Sequence, residues 1–86
     1  MDLESRHKAG IFALKVLEFR EGNQAVVKHP LIKDSCISLP VPDLGFRDVG
    51  VYVDVKFSPM DGNRYKAVYQ GITLPEFVPK NGMDIA

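Results

Sequence analysis

The side chains of this chain that most often ligate zinc are His7, His29 and Cys36. Zinc sites draw such residues in close pairs, as Cys-x-x-Cys or His-x-x-x-His, because a short loop must supply two ligands to one tetrahedral shell. None of the three stands at that spacing. They read as two surface histidines and a small buried thiol, and no metal is expected. Nucleophilic catalysis would need Cys36 or a serine held by a histidine with an orienting acid, and no Gly-x-Ser-x-Gly context supports it. Glu18 with Glu21 and Asp43 with Asp48 come nearest to carboxylate pairs, but they fall at turns or in loops, where solvated acids are ordinary. The seven glycines are scattered at turns and form neither Gly-x-Gly-x-x-Gly nor a Walker-type loop. The expectation is a non-enzymatic protein with no cofactor.

One constellation survives, and it is a binding surface. Tyr52, Lys56, Arg64 and Lys66 combine an aromatic ring with three cations, the pairing with which single-stranded nucleic acid is held: rings stack on bases while cations track phosphates. The competing reading is that lysine and arginine are the default on the solvent side of a strand, and that Tyr52 pairs across it.

The element that must position these four residues is Val51 to Tyr69, where two alternating segments flank a turn rich in breakers. Side chains alternate faces along a strand, so loop length decides which faces meet. A three-residue loop of Met60, Asp61 and Gly62 puts Pro59 opposite Asn63. Val51, Val53, Val55 and Phe57 then lie beside Tyr65, Ala67 and Tyr69. The other face gathers Tyr52, Lys56, Arg64, Lys66 and Gln70, with Asp54 its only acid. A two-residue loop would set Arg64 and Lys66 among the valines, where unpaired charge is costly.

The rest of the chain reads as further strands. Ile11 to Phe19 is apolar on both faces apart from Lys15 and Glu18, as in a strand buried on both sides or bent between two sheets. Arg20 to Asn23 is a turn signal, and Gln24 to His29 returns as a strand that Pro30 ends. Ile32 to Leu39 is a third candidate. Pro40 to Gly50 is irregular, with Leu44 and Phe46 as anchors onto the core and a helical turn at Asp43 to Phe46. Gly71 marks a bulge before Ile72 and Leu74. Residues 1–9 lack an apolar face and read as an N-terminal tail, and residues 76–86 as a C-terminal tail in which Phe77 and Val78 dock. The 86 residues thus predict one all-β domain, a small five-stranded barrel of OB or SH3-like kind, with a two-sheet β-sandwich as the alternative. An unclosed sheet must pair or cover its edges, so a homodimer is also considered.

Eleven basic and eleven acidic residues leave no net charge, so any attraction to nucleic acid rests on local asymmetry. A lone cysteine cannot close an internal disulfide. No apolar run reaches the roughly 20 residues of a membrane span, and no apolar segment of signal-peptide length follows the charged N-terminus. The expected location is cytoplasmic, with no membrane partner.

With Gly50-Val51-Tyr52 leading into a hairpin that carries Gly62 at its tip, residues 48–74 resemble the small single-stranded-DNA-binding proteins of filamentous phages. The resemblance implies an OB-fold dimer that coats single-stranded DNA. That family carries a basic wing with a Gly-Lys-Pro-Tyr-like sequence where this chain has REGNQAVVKHP, and an aromatic near the hairpin tip where this chain has Met60. Two readings from other classes stand beside it. One is a protein-binding module or small inhibitor of the kind phages and mobile elements encode, using Leu44, Phe46, Met60 and Phe77. The other is a structural subunit of a larger assembly.

Overall fold

The computed structural model describes residues 3–62 and 64–79. Six strands form two antiparallel three-stranded sheets. In sheet A, β1 (Ile11–Lys15), β5 (Tyr52–Pro59) and β6 (Tyr65–Ile72) lie in the order β1-β5-β6; in sheet B, β2 (Glu18–Arg20), β3 (Gln24–Lys28) and β4 (Cys36–Pro40) lie in sequence order. The helix α1 (Leu3–Lys8) precedes them, and 3-10 turns occupy Phe46–Asp48 and Pro75–Phe77.

The segment from Ile11 to Phe19 is the hinge of this architecture. Its first half pairs with β5 and its second half with β3, so one length of chain serves both sheets. Across the break, Val16 exchanges bonds with Val51 and Gly50 (2.9 and 2.8 Å), and Leu17 N–H donates to Val26 (2.8 Å), so the backbone stays paired through the bend. Phe12, Leu14 and Val16 from one face and, beyond the break, Phe19 from the other enter the core with Ala25, Val27, Leu39, Val41, Val53, Val55 and Phe57, while Leu17 at the break stays exposed. Each fully buried valine of this set contributes about 1.5–3 kcal/mol of transfer free energy.

β4 and β6 approach each other without forming a ladder, so no closed barrel is found among the described residues. The first hairpin turns through Glu21, Gly22 and Asn23, with Arg20 opposite Gln24. Gly22 and Asn23 both adopt positive φ there (77° and 55°).

Four expectations need correction. Residues 3–8 form a helix rather than a tail, because α1 is held by tertiary contacts and not by an apolar stripe. The third strand is Cys36–Pro40, since residues 30–35 are folded into a loop around His29. The helical turn after β4 lies three residues later than expected, where Gly45 N–H donates to the Asp48 carboxylate (2.9 Å). In the main hairpin Pro59 faces Tyr65, two residues beyond the expected register. The loop therefore spans residues 60–64, closed by Met60 N–H donating to the Arg64 carbonyl (2.8 Å). Asn63 lies outside the described residues, as do residues 80–86 of the expected C-terminal tail. A shift of two preserves faces, and Phe57 opposite Ala67 and Val55 opposite Tyr69 keep the expected apolar side. The bulge at Gly71 is present: the register slips by one between Asp54 and Val55, and Gly71 takes φ 133°.

Candidate nucleic-acid interface

The outer face of sheet A is built by register. Lys15 lies opposite Tyr52, Ala13 opposite Asp54 and Ile11 opposite Lys56 on the β1 side. On the β6 side Val68 lies opposite Lys56 and Lys66 opposite Ser58. Lys15, Lys56 and Lys66 are exposed, Tyr52 is half-buried, and Arg64 stands exposed in the hairpin loop. Of the expected quartet, Lys56 and Lys66 sit on adjacent strands one row apart, Tyr52 lies two positions along β5 beyond Asp54, and Arg64 is at the hairpin end. Lys15 belongs to the same face. The parity of β1 could have revealed it once β1 was paired with β5, a long-range pairing that periodicity does not disclose.

Asp54 sits in the middle of this face, and its Oδ1 carries two contacts. The Arg6 guanidinium reaches across from α1 to its carboxylate, and the Thr73 hydroxyl donates to the same oxygen at 2.8 Å. Arg6 is only 4% exposed, and its guanidinium lies 4.3 Å from the centre of the Phe77 ring, a cation–π contact. The Gly71 bulge makes this possible. Beyond the slipped register, Thr73 bonds to the Tyr52 carbonyl (3.0 Å) and so falls on the outer side beside Asp54.

The clasp has two consequences. It neutralises the one acid that the hairpin contributes to this face, and its side chains cover the row between Tyr52 and Lys56. The nearby Glu4 carboxylate is matched by Lys8 within α1 (3.6 Å).

The residues expected to contact a protein partner are dispersed. Leu44 is buried in the core and offers no contact surface, which corrects its assignment. Phe77 is half-buried against Arg6. Met60 is exposed at the hairpin loop, and Phe46, expected as a core anchor, is 74% exposed and meets only the edge of Phe19 (6.1 Å between ring centres) among the described rings. Leu17 and Val49, both exposed, lie on segments that the Gly50–Val16 bond joins.

The soft ligands also differ from expectation. His29 is buried and Cys36 is exposed, the reverse of the sequence reading. Pairing of Lys28 with Cys36 puts Cys36 at the outer end of β4, while His29 turns inward after β3. Its ring packs on Phe57 (4.8 Å) and Tyr65 (6.0 Å). His7 stacks on Phe12 at 4.9 Å. Among the described residues no group of three or more His, Cys, Asp or Glu side chains could hold a metal ion, and no helix is long and apolar enough to cross a membrane.

Two titrations are displaced. Burial holds the His29 imidazole below its ordinary value of 6.5. Tyr69 is pushed above 10.0, first by burial and then by the negative charge of Asp43, whose carboxylate accepts its hydroxyl at 3.4 Å.

No protein-family model, curated protein or solved structure matches this chain.

Proposed function

We propose that the chain is a small non-enzymatic binding domain that engages single-stranded nucleic acid through the outer face of sheet A. Lys15, Lys56, Lys66 and Arg64 supply the phosphate contacts and Tyr52 a ring. The observation that carries this reading is the state of Asp54: bound by Arg6 and Thr73, the acid that β5 places between Tyr52 and Lys56 is already paired. A protein of zero net charge thereby presents one locally basic surface, which is what electrostatic attraction to a polyanion requires. On this reading the two sheets are halves of a small barrel of OB or SH3-like kind with an unpaired seam between β4 and β6. The protein works in the cytoplasm, either alone or as a dimer, in the manner of the phage proteins it resembles.

The test is fluorescence anisotropy with labelled oligo(dT) across a salt series. Four phosphate contacts give a slope of log affinity against log salt of roughly −3 for a single strand, and Lys56→Ala with Arg64→Ala brings it to roughly half that. Absence of binding at low salt would sink the proposal.

A second reading rests on Phe46. An aromatic ring 74% exposed, with Leu17 and Val49 exposed nearby, is the composition of a protein-contact surface, and it suits an interaction module or small inhibitor encoded by a phage or mobile element. Binding to a protein that is lost in Phe46→Ser, with oligo(dT) affinity near zero throughout, favours this reading over the first.

A further inference from the structure

We propose that His29 is an acid-sensitive latch, holding the 30–35 loop closed while its imidazole is neutral and releasing it on protonation. The geometry assigns the protonation state. Nδ1 accepts from the backbone N–H of Leu31 at 3.0 Å and of Ile32 at 3.2 Å, and a ring nitrogen can accept only when it carries no proton. The His29 backbone N–H ties the far side of the loop by donating to the Ser35 carbonyl at 2.8 Å. One residue thus fastens both ends of the loop, the nearer end through a titratable atom. Within the loop Asp34 is held at φ 60°, a conformation in which L residues other than glycine are uncommon.

Protonation of Nδ1 would set a third donor against two N–H donors, breaking both bonds and placing a cation among aromatic rings. The groups around the ring offer little compensation. Phe57 from β5 and Tyr65 from β6 offer rings at 4.8 and 6.0 Å, a cation–π attraction that does not replace the two hydrogen bonds lost. Lys33 and Asp34 in the loop are exposed, as are Lys66 beside Tyr65 and Lys28 and Cys36 at the adjoining ends of β3 and β4. Among the described residues no carboxylate hydrogen-bonds to the imidazole. Release of the loop relieves the mismatch and frees the His29 ring from Phe57, which is buried in the closed state. Burial already holds the group below 6.5, so the loop is closed at neutral pH and opens in acid.

The experiment is amide hydrogen exchange by NMR on the full chain, expressed as protection factors, alongside titration of the His29 ring. Between about pH 7.5 and pH 5 the protection of Leu31 and Ile32 is expected to fall together, by up to about tenfold for each pH unit below the ordinary value of 6.5 and levelling off once the midpoint of the ring titration is passed, while Val27 in β3 keeps its protection. His29→Asn substitutes a side-chain oxygen that accepts the same bonds but does not titrate, and it flattens the pH dependence. Constant protection of Leu31 and Ile32 in the wild type across this range overturns the proposal. So does a loss shared equally by Val27, which marks global unfolding. No ligand enters the measurement, so its outcome is independent of nucleic-acid binding.

Discussion

Arg6 and His29 are both buried polar side chains, and the molecule holds them by different chemistry. Arg6 keeps its charge and carries it to Asp54, with Thr73 and Phe77 completing the contact. His29 gives up its charge and spends the freed lone pair on two backbone amides. The first arrangement joins elements far apart in sequence, whereas the second organises the six residues that follow it. A charged anchor is intolerant of losing its partner, because the remaining charge stays buried; a neutral anchor is intolerant of a change in protonation.

This contrast orders the effects of substitution. Asp54→Ala leaves the Arg6 guanidinium buried without its counter-ion and should cost about 3–4 kcal/mol, read from the urea midpoint. Arg6→Met should cost less, since Asp54 is partly exposed and retains the Thr73 hydroxyl. The double variant should be more stable than the sum predicts. Equal and additive losses would show that the two residues act independently.

Gly10→Ala tests the placement of α1. Gly10 has φ +82°, and a methyl group there would run into the Phe57 carbonyl oxygen, a backbone atom fixed in the central strand of sheet A. The expected loss is about 2–3 kcal/mol, with exchange protection falling first in α1. His29→Phe keeps a ring but leaves two amides without an acceptor, and should cost about 1–2 kcal/mol at neutral pH. The sign of its pH dependence follows from the lowered value of the histidine. The folded state resists protonation, so the wild-type contribution is complete above 6.5 and is lost as pH falls below it. The gap between wild type and His29→Phe should therefore narrow in acid, as thermal melts at two pH values would show.

Tyr69→Phe should have the smallest effect, under about 0.5 kcal/mol, because its bond to Asp43 is long and exposed. Its phenol is raised above 10.0, so its stabilising contribution persists below that pH and disappears as alkali carries it through the higher folded value. An ultraviolet titration that finds Tyr69 ionising with or before the other tyrosines contradicts this.

Local alternation made the hairpin faces, the first turn and the Gly71 bulge legible in the sequence, because each is decided by neighbouring residues. The hairpin register was not, since shifting one strand by two residues leaves every side chain on its face and parity is blind to the difference. Phe57 against Ala67 and Tyr65 against the His29 ring select the observed pairing, and both rest on the fold as a whole. The two polar anchors escaped for a related reason. A helix with no apolar stripe looks like a tail until Asp54 is seen beneath it, and a histidine before Pro30 looks exposed until its ring is found against Phe57. Of the candidate face, Tyr52, Lys56 and Lys66 were legible from the parity of one hairpin, Lys15 needed the pairing of β1 with β5, and the occupation of Asp54 needed both ends of the described chain.

The meeting of Arg6 with Phe77 brings those ends together on one side of sheet A. Joining residues 3 and 79 by a short linker while opening the chain at the 60–64 loop would yield a circular permutant with the same clasp formed inside a continuous segment. Its refolding rate compared with that of the parent chain would report how much time folding now spends bringing the two ends together.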